Sequence, residues 1–117
     1  MVAAIAVVVV LTLGGSAASG RHVAFPTRGS VAARATLRAR AAGTEVSFHA
    51  EGLPDDGYYW LWLTDADGER VGAGTFRGGR NPVDVTMTAA IRLADARRIW
   101  VTDAHRAVVL DTRLGDG

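Results

Sequence analysis

Residues 58–65, YYWLWLTD, constrain the fold more than any other stretch of the chain. They hold both tyrosines and two of the three tryptophans, interleaved with Leu61 and Leu63. Bulky aromatic side chains at this density favour a pleated strand, where they pack against cross-strand neighbours. Alternate side chains of a strand face opposite ways. Tyr59, Leu61 and Leu63 therefore share one side, and Tyr58, Trp60, Trp62 and Thr64 the other. Both sides are apolar, which predicts a strand in the middle of a sheet. Residues 53–57, LPDDG, and 65–68, DADG, supply turn chemistry at either end.

The flanking sequence keeps the same two-residue period. In residues 33–40, ARATLRAR, small apolar residues alternate with arginine, as in a half-exposed strand. In residues 45–51, Val46, Phe48 and Ala50 line one face, and Glu45, Ser47, His49 and Glu51 the other. One wet face is the habit of an antiparallel sheet. Asp67-Gly68 marks a hairpin that returns through residues 69–76, ERVGAGTF. Gly72 and Gly74, read as one face of that strand, leave room for Trp60 or Trp62 opposite. Val83, Val85 and Met87 alternate with Asp84, Thr86 and Thr88, residues 89–96 fit a helical turn, and residues 97–103 and 107–112 form a last pair. The expected fold is all-β, an antiparallel Ig-like β-sandwich of six or seven short strands. Its core is expected to contain Val46, Phe48, Tyr59, Leu61, Leu63, Phe76, Val85 and Val101.

Residues 2–13, VAAIAVVVVLTL, are apolar all round, and no charge follows until Arg21. As a helix this uncharged stretch would reach roughly 28 Å, close to the ~30 Å of a hydrocarbon core. A transmembrane anchor is the first reading. A signal segment cleaved after Ala18 is the second, since Ser16-Ala17-Ala18 offers the small residues such a site needs. The domain organisation that follows is an anchor or signal segment over residues 1–20, a linker over 21–32 containing Pro26 and Gly29, and an extracytoplasmic domain over 33–117.

Composition narrows the chemistry. A net charge of +1 across 117 residues gives no field to draw in nucleic acid, and no nucleic-acid partner is expected. There is no cysteine, hence no disulfide, no thiolate metal site and no cysteine nucleophile. His22, His49 and His105 fall in three separate elements without metal-ligand spacing. Asp55, Asp56, Asp65 and Asp67 flank the aromatic strand, where a calcium site could gather them, but turns use aspartate for backbone reasons alone. No serine has a Gly-x-Ser-x-Gly setting. The residues thus assign no catalytic, cofactor-binding or metal site, and the chain reads as a non-enzyme.

The order of motifs carries a resemblance. ATLRARAAGTEVSFHAEGLP, YYWLWLTDADGERVGAGTF, VDVTM and RRIWVTD follow one another as in the C-terminal domain of anti-sigma factors of the anti-sigma-K (RskA) type. The matching positions are Ala35, Leu37, Gly43 and Val46; Leu53 and Pro54; Tyr59, Leu61, Trp62 and Leu63; Gly74, Thr75 and Phe76; and Val101 and Thr102. The similarity covers residues 33–114, and the apolar segment sits where that family has its single transmembrane helix. The resemblance implies a regulatory domain outside the cytoplasm, on a single-pass protein that restrains an extracytoplasmic-function sigma factor until regulated proteolysis releases it. It implies as partners the membrane, a regulatory protease and, through a cytoplasmic domain absent from these residues, the sigma factor. That domain's His-x3-Cys-x2-Cys motif has no counterpart here, and the turn in residues 103–112 lacks the family's Pro- and Gly-rich character. The alternative expectation is a secreted β-sandwich module that binds a small ligand or partner protein.

Overall fold

The computed structural model describes residues 20–53 and 57–114. Residues 1–20 as an anchor, Ala18 as a cleavage point and the aspartates at 55 and 56 therefore fall almost entirely outside the described residues. Among those described, no helix is long and apolar enough to cross a membrane.

The described residues form eight strands in two antiparallel four-stranded sheets. These are β1 (Arg21–Ala24), β2 (Ala32–Arg40), β3 (Gly43–Glu51), β4 (Tyr58–Asp65), β5 (Arg70–Arg77), β6 (Val83–Ala89), β7 (Ala96–Thr102) and β8 (Val108–Arg113). One sheet runs β1-β2-β3-β6 and the other β5-β4-β7-β8. A 3-10 turn, Leu93–Asp95, lies where residues 89–96 fitted a helical turn. The aromatic strand β4 is interior to its sheet, between β5 and β7.

Period-two patterning decides which face turns inward. Tyr59, Leu61 and Leu63 are fully buried, as are Val46, Val101 and, on partner strands, Leu37, Ile99 and Leu110. Phe48 and Phe76 join them, with ring centroids 5.1 Å apart, and Tyr59 stacks on Phe76 at 5.6 Å. The eighth expected core residue, Val85, is only half-buried and packs against the cluster from the side. It lies midway along β6, the last strand of its sheet, whose ends Val83 and Ala89 are buried on the same face.

Three expectations change. Residues 21–32, read as a linker, contain β1, which pairs with β2 from Arg21↔Leu37 to Ala24↔Arg34. Phe25 and Val31 then bury their side chains, Phe25 meeting Phe48 edge-on at 5.9 Å. Pro26 and Gly29 break the period over too short a span to hide these anchors from the fold, although they hid them from the pattern. Counting β1, there are eight strands among the described residues and not six or seven.

The third change concerns the glycines of β5. Leu61 pairs with Gly74 but Trp62 pairs with Gly72, so Ala73 is an extra residue in β5. A bulge of this kind puts two residues opposite one and shifts the alternation. Gly74 therefore faces inward, where a Cβ would come 3.0 Å from the Met87 sulfur, while Gly72 faces outward beneath Trp62. The two glycines do not share a face.

Candidate functional site: an aromatic cleft on the outer face of one sheet

The side chains of β4 that do not reach the core meet those of β7 on the outer face. Trp62 and Trp100 are cross-strand partners whose rings stack with centroids 5.7 Å apart and planes 23° from parallel. Arg70, from β5, places its guanidinium 5.0 Å from the centre of the Trp62 ring, and Arg98 lies 4.7 Å from that of Trp100. Such cation–π contacts stabilise by about 0.5–1 kcal/mol each at exposed sites. Arg98 is fixed in turn by Asp111, to which Nε and Nη2 donate at 2.7 and 2.9 Å, one to each carboxylate oxygen. That bidentate pairing holds the Asp111 carboxyl below its ordinary range against the opposing effect of burial.

The indole N–H groups close the cluster. Trp62 Nε1 donates to Thr102 Oγ1 at 3.0 Å, and Trp100 Nε1 donates to Thr64 Oγ1 at 2.8 Å. Each tryptophan thus bonds the threonine two residues along from its partner, because Trp62, Thr64, Trp100 and Thr102 all point outward. With stacking, cations and hydrogen bonds together, Trp100 is only 8% exposed although it lies outside the sandwich core. The outer apolar face of β4 is thus a surface cluster separate from the sandwich core.

Trp60 is different. It is 36% exposed, pairs across the sheet with Thr75 and Thr102, and carries neither a stacked ring nor a cation among the described residues. A cleft of about 430 Å³ opens beside it, with Trp62, Trp100, Arg70, Asp103 and Arg106 in its walls. Small-ligand sites commonly measure about 300–1,000 Å³ and mix apolar lining with a few placed polar groups.

The rim of the cleft is the β7–β8 turn. Asp103 Oδ1 accepts backbone N–H bonds from His105 at 2.8 Å and Ala107 at 3.0 Å, and Arg106 N–H donates to the Asp103 carbonyl at 3.0 Å. The Ala107 N–H, followed by that of His105, holds the Asp103 carboxyl below its ordinary range, so it is charged at neutral pH. The β4–β5 turn is built the same way: Asp65 Oδ1 accepts from Asp67 and Glu69, both at 2.9 Å. In each turn the fourth residue takes a left-handed backbone, Gly68 at φ 88° and Arg106 at φ 67°. Arg106 is the one non-glycine residue with positive φ among the described residues. Asp65 is thus engaged in its own turn, and no group of three or more metal-ligating side chains is found among the described residues.

The opposite sheet carries a smaller polar group. His49 Nδ1 lies 2.7 Å from Asp84 Oδ1 and Nε2 lies 3.1 Å from Glu51 Oε2. The hydrogen bond with Asp84 raises the His49 pKa above its ordinary value. Burial opposes it, Glu51 adds to it, and Arg34 on β2 opposes it. His22 meets Thr36 Oγ1 at 3.2 Å on the β1–β2 pair, and His105 lies in the β7–β8 turn, so the three histidines stay apart.

Compared with protein-family models, curated proteins and solved structures, the chain matches none of them. The eight expected core positions converge in or against one core and do not line the cleft. Sequence reasoning placed Trp60 and Trp62 on one face but missed Trp100, Arg70, Arg98 and Arg106 as their company. The available signal was the outward alternation of Arg98, Trp100 and Thr102 in RRIWVTD, the same pattern that predicted the strand.

Proposed function

We propose that the chain is the extracytoplasmic regulatory or sensor domain of a membrane-anchored anti-sigma factor of the anti-sigma-K type, acting as a negative regulator of an extracytoplasmic-function sigma factor. What supports this reading is the cross-strand register of the residues that carry the resemblance. Leu37 pairs with Val46, Tyr59 with Phe76 and Leu61 with Val101. The first two pairs each lie within one motif and the third joins the aromatic strand to RRIWVTD, so the motifs contribute to one core. The sandwich in this reading is Ig-like. Strands β2-β3-β6 correspond to A-B-E, β5-β4-β7-β8 to C′-C-F-G, and β1 is an added edge strand. Residues 1–20 anchor the domain in the membrane, a cytoplasmic domain beyond these residues holds the sigma factor, and the outer domain governs access of a regulatory protease without catalysis of its own.

The experiment is affinity capture of the C-terminally tagged gene product from its own cells after membrane fractionation. The reading expects the tag in the membrane fraction, cleaved by protease added to intact spheroplasts, with a sigma factor captured alongside it. Recovery from the culture medium without a sigma factor would contradict it. A second reading, an exported β-sandwich binding module, is favoured by the cleft beside Trp60 and expects that result.

A further inference from the structure

We propose that the cleft between Trp60 and the β7–β8 turn binds an acidic saccharide, a pyranose ring bearing a carboxylate. The inference deepens the recognition role common to both readings above by naming the ligand, and it does not depend on sigma-factor capture, which is measured separately.

Three features of the cleft specify the ligand. The first is a free aromatic platform. Trp62 and Trp100 spend their rings on each other and on Arg70 and Arg98, whereas Trp60 presents an exposed ring with no such partner. The face of an aromatic ring is electron-rich, and the C–H groups on one side of a pyranose are weakly positive, so the two stack. The second feature is charge. Among the described residues Arg106 has no carboxylate partner, and Arg70 has the Trp62 ring as its one contact of this kind. The lining holds these two arginines against the one carboxylate of Asp103, so the cleft favours one negative charge. The third is a matched acceptor and donor. Asp103 uses Oδ1 for its turn, and Oδ2 takes part in neither of those bonds. Thr102 Oγ1 accepts from Trp62 and keeps its own proton to donate. Neighbouring hydroxyl groups of a sugar satisfy such a pair. A phosphate-rich ligand would bring more negative charge against Asp103 and leave that acceptor unused.

The backbone adds an independent observation. Arg106 occupies the left-handed position that the twin turn fills with Gly68, a conformation that costs a non-glycine residue energy. Strain of this kind is retained where the side chain serves a purpose, and here the side chain stands in the cleft wall.

The test is tryptophan fluorescence of the full chain in detergent, titrated at low salt with trigalacturonate, maltotriose and adenosine monophosphate. The expected result is saturable quenching by trigalacturonate with a Kd at or below about 1 mM, and at least about tenfold weaker response to the other two. Trp60→Ala should weaken trigalacturonate about tenfold or more. Arg106→Asn, which keeps the left-handed backbone and removes the charge, should erase the preference over maltotriose. Raising salt to about 0.5 M should weaken the acidic ligand alone. Unchanged circular dichroism of both variants verifies the fold. No saturable response to trigalacturonate, equal affinity for maltotriose, tighter binding of the nucleotide, or full affinity in folded Trp60→Ala would each overturn the proposal.

Discussion

Replacing Trp100 with alanine tests whether the outer-face cluster is built structure or decoration. Trp100 is 8% exposed, stacks on Trp62 at 5.7 Å, lies under Arg98 at 4.7 Å and donates to Thr64 Oγ1 at 2.8 Å. A tryptophan buries about 150–250 Å², which at about 25 cal/mol per Å² sets an upper bound of roughly 4–6 kcal/mol. The truncated site opens to water on the outer face, so no closed cavity adds to the loss, and Thr64 recovers its lost bond from solvent. The expectation is therefore the low end of the about 3–5 kcal/mol seen for buried tryptophans, near 3 kcal/mol. With an m-value of about 1.5 kcal/mol/M, the urea midpoint falls by roughly 2 M. Urea unfolding followed by far-ultraviolet circular dichroism measures it. Trp62→Ala should cost less, since Trp62 is half-buried, and the double mutant should reveal about 0.5–1.5 kcal/mol of coupling between the rings. A Trp100→Ala midpoint within about 0.5 M of the parent would mean that the outer-face cluster does not stabilise the fold.

Leu61→Asp should abolish the cooperative transition, because Leu61 is fully buried and an unpaired carboxylate there is costly to desolvate; a parent-like melt would remove Leu61 from the core. Gly43→Ala should cost about 3 kcal/mol or more in the same urea assay, since φ is 141° and a Cβ would run into the Ala89 carbonyl oxygen. His49 supplies a pH dependence whose sign is fixed. Its pKa is raised above 6.5 in the folded state, so its contribution is complete below pH 6.5 and is lost as pH rises through the folded value. Asp84 and Glu51 face His49 as acceptors and Arg34 faces it as a like charge. His49→Gln should flatten the stability profile across that window, and an unaltered profile would exclude His49 as its source. Asp111 acts at the other end. Its pKa is lowered by Arg98, so its contribution is present above pH 3.8 and is lost as pH falls through the folded value.

The fold was legible wherever one face of a strand is wet. Val46, Phe48 and Ala50 alternate cleanly with polar residues, and all three are buried. The aromatic strand lies in the middle of its sheet as expected, but its pattern left one point open. Trp60 and Trp62 are as apolar as Leu61 and Leu63, so alternation fixed that they share a face but not whether a second layer covers it. The bulge at Ala73 left no mark in GAG, since glycine and alanine fit either side of a strand, and only pairing revealed that Gly72 and Gly74 diverge. The cleft was hidden for a topological reason. Its walls come from β4, β5, β7 and a turn, and local patterning does not say that β7 lies beside β4. Arg106 is the clearest case. DADGE and DAHRA look unlike as strings, yet the aspartate in each accepts the same two backbone N–H groups, which places Arg106 where Gly68 stands.

The three outward tryptophans divide into two locked into the sheet and one left free to meet a ligand. Nuclear magnetic resonance of the full chain, 15N-labelled at the indoles, tests this in one spectrum series. Trp62 and Trp100 donate to Thr102 and Thr64, so their indole protons should exchange slowly with solvent, while that of Trp60 exchanges fast. Adding trigalacturonate should shift the Trp60 resonance most. Three equally fast indoles, or a ligand that moves Trp62 and Trp100 while leaving Trp60 unmoved, would contradict this division of roles.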